Sequence, residues 1–148
     1  MNDIELKRLT EADVEDYISL EKSVDGTKIY SAMTDRKEAL EDIRKGNTYF
    51  IIENGQIVGG VSYELKAPDH AHIGGLAVHP DYQGRGIARA AMLKVLDKLK
   101  DTLKIDLVTH PDNERAIKLY ESLGFARGET IENYFGDGEP RIVMTLQR

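Results

Sequence analysis

The 148-residue chain contains no cysteine, which excludes disulfide bonds and thiolate metal sites. Because disulfides mark oxidising compartments, this absence favours a cytoplasmic protein. The first ten residues include Asp3 and Glu5, where a secretory signal peptide has basic and then apolar residues. Nowhere does the chain approach the ~18 consecutive apolar residues of a membrane-spanning helix. We therefore expect a cytoplasmic protein without a membrane partner.

Basic residues are in the minority. The chain has 20 Lys and Arg against 26 Asp and Glu, a net charge of -6, whereas a surface that neutralises nucleic-acid phosphates needs clustered positive charge. Internal repeats, low-complexity tracts and Pro/Gly/Ser-rich linkers are absent as well. These features predict one globular domain over residues 1–148 that has no nucleic-acid partner.

The first half of the sequence predicts a strand, two helices and a hairpin. The segment "IELKRL" alternates apolar and polar residues, as a half-buried strand does, and a first helical pattern follows it. Asp35, with Glu38 three residues later, opens a second helix, which Gly46 ends. The segment "TYFIIENGQIVGGVSYEL" then contains two β-rich runs around Asn54-Gly55, a pair that favours a two-residue type I′ turn.

The second half predicts a parallel strand–helix–strand unit. The segment "APDHAH" is expected to break the chain before the strand "IGGLAV". Apolar residues then recur at helical spacing from Ala88 to Leu103, ahead of the short strand "IDLVT". A helix capped by Asn113 and ended by Gly124, with two further strands, completes the order βααβββαβαββ. We therefore expect an α/β fold whose mixed sheet is mostly antiparallel around one parallel crossover.

Two glycines precede the crossover helix, in "LAVHPDYQGRGIARAAM". Gly84 and Gly86 remove side chains in front of a helix N-terminus, whose free amides attract anions, although a simple tight turn explains them equally well. A P-loop is excluded because no Gly-Lys-Ser/Thr triplet occurs. A dinucleotide fingerprint is disfavoured although Asp106 has the right spacing, because Arg89 stands where a third small residue belongs.

The same segment resembles the acyl-CoA-binding motif of the GNAT superfamily of N-acetyltransferases. The family pattern Arg/Gln-x-x-Gly-x-Gly/Ala reads here Gln83-Gly84-Arg85-Gly86-Ile87-Ala88. The segment "PDNERAIKLYESLGF" is similar to the one that follows the fifth strand in that family, and the predicted element order matches over nearly the whole chain. The resemblance implies a single GNAT-like domain, acetyl-CoA as co-substrate and N-acetyltransferase activity.

The resemblance also implies cofactor contacts. Backbone amides of the glycine loop would hold the pyrophosphate, and the strand before it would pair with the pantetheine arm. The residues implied in this way are Leu76, Ala77, Val78, Gln83, Gly84, Arg85, Gly86, Ile87, Ala88, Arg89 and Asn113. Arg85 and Arg89 either add charge against phosphate or are solvated residues at the helix start, and the main expectation for Asn113 is a helix cap.

Transfer of acetyl from a thioester to an amine needs a neutral amine, a polarised carbonyl and a proton for the departing thiolate. By resemblance, Tyr120 is the general acid, since a tyrosine of ordinary pKa, about 10, can donate to a thiolate whose thiol has a pKa of about 8.5. Periodicity alone would put Tyr120 on an apolar stripe with Ala116 and Leu123. A backbone N–H near Leu76 or Ala77 would polarise the carbonyl.

His72 is the candidate general base. It stands eleven residues before Gln83, where some members of the family have a Glu, and the ordinary histidine pKa of about 6.5 suits the role. Relatives that act on protein N-termini have a Glu or His on the fifth strand, but this chain has Val108 there. The weaker candidates are Glu64 and His110. His70 and His72 project to one side of an extended segment, but without a third ligand they predict no metal site.

Two arguments favour an α-amine as the acceptor. At pH 7, neutralising a lysine amine costs about 4.6 kcal/mol and an α-amine about 1.1 kcal/mol, so a weak base suits the α-amine. The tail "ENYFGDGEPRIVMTL" resembles the end of protein N-terminal acetyltransferases, in which the tyrosine equivalent to Tyr134 helps to hold a peptide. Tyr30 and Tyr134 are the predicted substrate-binding residues.

Other functions stay open. A chain that binds acyl-CoA through Gln83 to Arg89 but lacks a base would be a regulatory module without turnover. The acceptor of an active enzyme would otherwise be a small-molecule amine. A homodimer is compatible with the sequence, although no residue requires one.

Overall fold

The computed structural model describes residues 3–24 and 35–148. The described residues contain seven strands and four α-helices in the predicted order, with two single-turn 3-10 helices between them. The strands are β1 (Ile4–Arg8), β2 (Thr48–Glu53), β3 (Gln56–Ala67), β4 (His70–Val78), β5 (Lys104–Thr109), β6 (Ala126–Ile131) and β7 (Arg141–Gln147). The helices are α1 (Val14–Ser23), α2 (Arg36–Arg44), α3 (Ile87–Lys98) and α4 (Glu114–Ser122).

The strands form one sheet in the order β1-β2-β3-β4-β5-β7-β6. The β4–β5 pair, which α3 connects, is parallel, and every other neighbouring pair is antiparallel. The expected mixed sheet with one parallel crossover is therefore confirmed.

Local turn and cap signals operate as predicted. Asn54 and Gly55 have φ angles of 50° and 77°, and positive φ at both residues is what a type I′ turn requires. The Asp35 side chain accepts a hydrogen bond of 3.0 Å from the Glu38 N–H, which caps α2. Gly46 follows that helix at a φ of 89°. These short-range interactions explain why the first helices and the hairpin lie where the sequence predicts them.

Two local predictions are wrong. The segment "APDHAH" does not break the chain over its whole length, because β3 extends to Ala67 and β4 begins at His70. Ala71 is buried in the sheet core, and the histidines on either side of it both contact Asp106. Leu103 does not continue the apolar face of α3, because that helix ends at Lys98 and Leu103 is half exposed.

The sheet has one hydrophobic core on each face. On one face, Met92 and Val95 of α3 pack with sheet residues such as Ile105. On the other face, α1 and α2 cover Phe50 and Ile52 of β2. Since alternate residues of a strand point to opposite faces, the members of β2 divide between the two cores. No helix in the described ranges is long and apolar enough to cross a membrane.

Candidate active site

The strands β4 and β5 separate part-way along their length. Their backbone pairing ends at Ile73 and Leu107. At that point β4 has a bulge, because Tyr63 of β3 pairs with Ile73 and Ser62 pairs with Gly75, which leaves Gly74 as the extra residue. The rest of β4 remains paired with β3 on one side, and on its β5 side the described residues offer it no strand. This open edge of β4, residues 74–78, can pair with an extended ligand that carries amides.

A cavity of about 230 Å³ adjoins the open edge, between the glycine loop, the start of α3 and α4. We call it the glycine-loop cavity. Nine of the eleven predicted cofactor-binding residues line it: Leu76, Val78, Gln83, Gly84, Gly86, Ile87, Ala88, Arg89 and Asn113. Its described lining contains two guanidinium groups, Arg89 and Arg115, and no carboxylate. The cavity therefore favours an anionic ligand.

The glycine loop presents unobstructed amides to this cavity. Gly84 and Gly86 have φ angles of 80° and 79°, which glycine adopts without strain. Gly86 occupies the N-cap position of α3, and no side chain caps the helix there. The Gln83 side-chain amide donates 3.0 Å to the Val78 carbonyl oxygen and ties the loop to the end of β4. This arrangement is an anion site of the helix N-terminus type.

The arginines around the loop differ in their surroundings. Arg89 lines the glycine-loop cavity and donates a 2.7 Å hydrogen bond to the Ser122 hydroxyl. Arg85 is not among the lining residues and forms a 3.0 Å ion pair with Glu53. Sequence reasoning missed Arg115, which lines the cavity and reaches within 4.0 Å of the point where a Cβ on Gly84 would lie. No local signal identifies Arg115, since its position depends on how α4 docks.

A second cavity of about 410 Å³ lies between α1, α2, the bulged part of β4, the end of β5 and the loop before β7. We call it the acidic cavity. Its described lining has three carboxylates, Glu21, Glu38 and Asp42, and one guanidinium, Arg141. Arg141 is itself paired with Asp137 at 3.1 Å. The excess of negative charge favours an amine or another cation as the ligand of this cavity.

Three residues line both cavities: Leu76, Asn113 and Tyr120. Tyr120 is buried, with its ring centroid 6.0 Å from that of Phe125. Asn113 caps α4, since its side-chain oxygen accepts a hydrogen bond of 3.3 Å from the Ala116 N–H. Ala77, another predicted cofactor-binding residue, lines the acidic cavity but not the glycine-loop cavity. The predicted general acid thus lies where a ligand in one cavity meets a ligand in the other.

His72, the predicted base, lies outside the lining of both cavities. Its Nδ1 is 2.5 Å from one carboxylate oxygen of Asp106, and the His70 Nε2 is 2.6 Å from the other. Burial acts to raise the pKa of Asp106, but the hydrogen bonds from His72 and His70 outweigh it and hold that pKa below its ordinary value. Because an ionised carboxylate can only accept, His72 donates to Asp106 from Nδ1.

His72 occupies the same face of the sheet as the acidic cavity. It pairs with Glu64, which is two residues along β3 from the lining residue Ser62. Its partner Asp106 is likewise two residues along β5 from the lining residue Val108. Two residues along a strand span about 7 Å. Among the described residues, no group of three or more His, Cys, Asp or Glu has the geometry of a metal site.

The remaining predicted residues differ in their availability. Glu64 is ion-paired with Lys66 at 3.3 Å. His110 is buried and bonded at both ring nitrogens, because Nδ1 accepts from the Asp112 N–H at 3.0 Å and Nε2 lies 2.7 Å from a Glu139 oxygen. Tyr134 packs edge-on against Phe135, which lines the acidic cavity. Tyr30 lies outside the described residues.

The sequence matches the model of the acetyltransferase (GNAT) family over residues 8–125. The chain belongs to this family. It is 39% identical over 83 residues to the [ribosomal protein bS18]-alanine N-acetyltransferase of Escherichia coli K12, an alignment that covers 53% of this chain and 56% of that protein. It is 32% identical over 105 residues to the spermidine N(1)-acetyltransferase of the same strain, covering 66% and 55%. The chain thus spans about half the length of these curated relatives.

Similarity to a solved structure extends over nearly the whole chain. The crystal structure of the ribosomal-protein-S18-alanine N-acetyltransferase from Escherichia coli superposes with a TM-score of 0.82 at 25% identity, covering 99% of this chain and 94% of that one. The family and the fold that the two sequence motifs predict are therefore confirmed.

Proposed function

We propose that this GNAT protein is an N-acetyltransferase that transfers the acetyl group of acetyl-CoA to a primary amine. The observation that carries the proposal is the meeting of two oppositely charged cavities at Tyr120. The glycine-loop cavity suits the pyrophosphate of coenzyme A, and the acidic cavity suits an amine. The N-acetyltransferase names of both curated relatives agree with this function.

Acetyl-CoA fits the site in an extended form. The amides of the loop from Gly84 to Arg89 hold the pyrophosphate, with Arg89 and Arg115 adding charge. The pantetheine arm pairs with the open edge of β4, which directs the thioester towards Tyr120. A backbone N–H near Leu76 or Ala77 then donates to the thioester oxygen as negative charge develops on it.

The reaction requires two proton transfers. The neutral amine attacks the thioester carbon, the C–S bond breaks, and the Tyr120 hydroxyl donates its proton to the departing thiolate. His72, held in its Nδ1–H tautomer by Asp106, takes the amine proton at Nε2 through bridging water. Asp106 stabilises the imidazolium that this transfer forms, and solvent then returns the proton to the Tyr120 phenolate before the next cycle.

Tyr120→Phe tests the acid. The substitution keeps the buried ring and removes the hydroxyl, so we expect the affinity for coenzyme A to stay within about twofold while acetyl transfer slows at least tenfold. Isothermal titration with coenzyme A and a thiol-release assay measure the two quantities. An unchanged rate in this variant would refute the assignment of Tyr120 as the general acid.

The acceptor that we propose is the α-amine of a peptide or protein. A base of histidine strength deprotonates an α-amine more readily than a lysine amine, and the aromatic loop at Tyr134 and Phe135 borders the acidic cavity, where it can hold a peptide. A peptide array assayed for acetylated N-termini tests this acceptor. An array without any acetylated N-terminus would refute it.

A small polyamine is the second candidate acceptor. The three carboxylates of the acidic cavity favour an acceptor with more than one positive charge, and one relative is named a spermidine N(1)-acetyltransferase. Parallel rates with spermidine and with an uncharged-side-chain peptide distinguish the candidates. Binding of acetyl-CoA without transfer to either class would instead indicate the regulatory module.

The proposal extends to the location of the protein in the cell and to its oligomeric state. The cysteine-free composition supports a cytoplasmic protein, which cell fractionation tests. A homodimer stays a prediction, and light scattering after size-exclusion chromatography measures the mass in solution.

A further inference from the structure

Arg85 lies between the two glycines of the loop, yet its side chain contacts the β2–β3 hairpin. Its Nη2 is 3.0 Å from the Glu53 Oε1 atom. Glu53, the last residue of β2, is only 7% exposed. Since a buried carboxylate without a partner is costly, the ion pair with Glu53 restrains the Arg85 guanidinium and, through it, the loop.

A second contact joins the same two segments. The Arg85 guanidinium carbon lies 5.4 Å from the centre of the Tyr82 ring, within the range of a cation–π interaction. The Tyr82 hydroxyl in turn donates a 2.8 Å hydrogen bond to the Gln56 Oε1 atom. Glu53, Gln56, Tyr82 and Arg85 together form what we call the loop anchor.

The glycines explain why the loop needs an anchor. Gly84 and Gly86 give the backbone the φ angles of about 80° that expose its amides, but glycine also leaves many other conformations accessible. A ligand that must first order such a loop loses affinity to conformational entropy. A loop held beforehand at both Tyr82 and Arg85 avoids that cost.

We infer that the loop anchor pre-organises the glycine loop for the cofactor and that Arg85 is a positioning residue, held by Glu53, rather than a phosphate ligand. This inference rests on the proposed binding of acetyl-CoA. It assigns a role to Glu53 and Gln56, which lie in a hairpin that contributes no residue to the glycine-loop cavity.

Removal of Glu53 separates the two roles by the direction of its effect. Glu53→Leu replaces the buried carboxylate with an apolar side chain of similar size and removes the ion pair that holds Arg85. If Arg85 positions the loop, the Kd for coenzyme A rises about tenfold and the KM for acetyl-CoA rises with it, while kcat stays within about twofold because the anchor does not touch the reacting atoms. If Arg85 is a phosphate ligand, the released guanidinium leaves the Kd unchanged or lowers it, which would overturn the inference.

The double variant Glu53→Leu/Arg85→Met supplies a second readout that does not depend on one substitution folding well. A shared role predicts that the double variant binds coenzyme A no more weakly than Arg85→Met alone. If the losses of coenzyme A affinity in the two single variants instead multiply in the double variant, the two residues act independently and the anchor is contradicted. Thermal unfolding of each variant confirms that the titrated protein is folded.

Arg44→Leu is the matched control, because it breaks another Arg–Glu pair, with Glu11 at 2.6 Å, away from the loop. Its Kd for coenzyme A is expected to equal that of the wild type. Absence of coenzyme A binding by the wild type would overturn the proposed function and this inference together. Wild-type binding with an unweakened Glu53→Leu variant would overturn the inference alone.

Discussion

Gly59→Ala tests how closely β3 must approach β4 beside the open edge. Gly59 pairs with Val78, and a Cβ at this position would lie 2.4 Å from the Ala77 carbonyl oxygen and 3.0 Å from the Ile51 Cδ1. The Ile51 methyl group can rotate aside. The Ala77 oxygen belongs to the backbone of β4, so the strand itself must move.

The expected loss of stability follows from this overlap. Forcing an extra methyl group into a well-packed position costs roughly 1–3 kcal/mol, and backbone displacement puts this site at the upper end, about 2–3 kcal/mol. With an unfolding entropy of roughly 2.1 cal/mol/K per residue, a chain of this length loses about 3 °C of Tm for each kcal/mol, so the Tm should fall by roughly 6–10 °C.

Scanning calorimetry of Gly59→Ala beside Gly60→Ala measures the effect against a neighbouring control. A Cβ on Gly60 would meet the end of the Leu20 side chain at 3.0 Å, which can move, and the Tyr49 oxygen only at 3.5 Å. We expect less than about 1 kcal/mol for Gly60→Ala. Midpoints of the two variants within about 2 °C of each other would refute the steric argument.

Three further predictions concern the glycine loop, the paired carboxylate and a buried tyrosine. Gly84→Ala and Gly138→Ala each place a side chain at a positive φ, 80° and 84° respectively, so each variant should lose roughly 1–2 kcal/mol of stability. Only Gly84→Ala should also weaken coenzyme A binding, as measured by titration calorimetry. Hydrogen bonds depress the pKa of Asp106 despite its burial, so the ionised carboxylate adds to the free energy of unfolding at neutral pH and this contribution is lost below about pH 4. The difference in unfolding free energy between wild type and Asp106→Asn should therefore shrink from pH 6 to pH 3, as measured by denaturant titration. Burial, aided by Glu21 and Asp42, raises the pKa of Tyr17 far above its usual range, so the neutral hydroxyl stabilises the folded state below pH 10 and this contribution is lost as pH rises further. Tyr17→Phe should therefore lower the free energy of unfolding by about 1–2 kcal/mol at pH 8 and by less at pH 11.

Features that depend on a few adjacent residues could be predicted from the sequence. The type I′ turn at Asn54-Gly55, the Asp35 cap and the Asn113 cap need only the backbone preferences and short side chains of neighbouring residues. The glycine loop belongs to the same class, since positive φ at Gly84 and Gly86 is a local property. These signals were sufficient for the order of the elements, and the resemblance of two motifs supplied the family.

Features that depend on strand register could not be predicted. His72 and Asp106 are 34 residues apart and meet because parallel pairing sets them side by side. The start of β4 at His70 differs from the prediction for a related reason, because Ala71, which is buried, lies between two polar histidines in "APDHAH". A pattern of polar residues cannot reveal that a neighbouring strand will bury one side of the segment.

The sequence by itself determined the elements, their order and the GNAT motif, because turns, caps and amphipathic patterns act within one or two turns of the chain. The tertiary structure decided which side chains face the cavities. It joined Arg85 to Glu53, brought Arg115 to the glycine loop and made Tyr120 common to both cavities. Those choices follow from the docking of α4 on the sheet and the divergence of β4 from β5, which depend on packing between residues far apart in sequence.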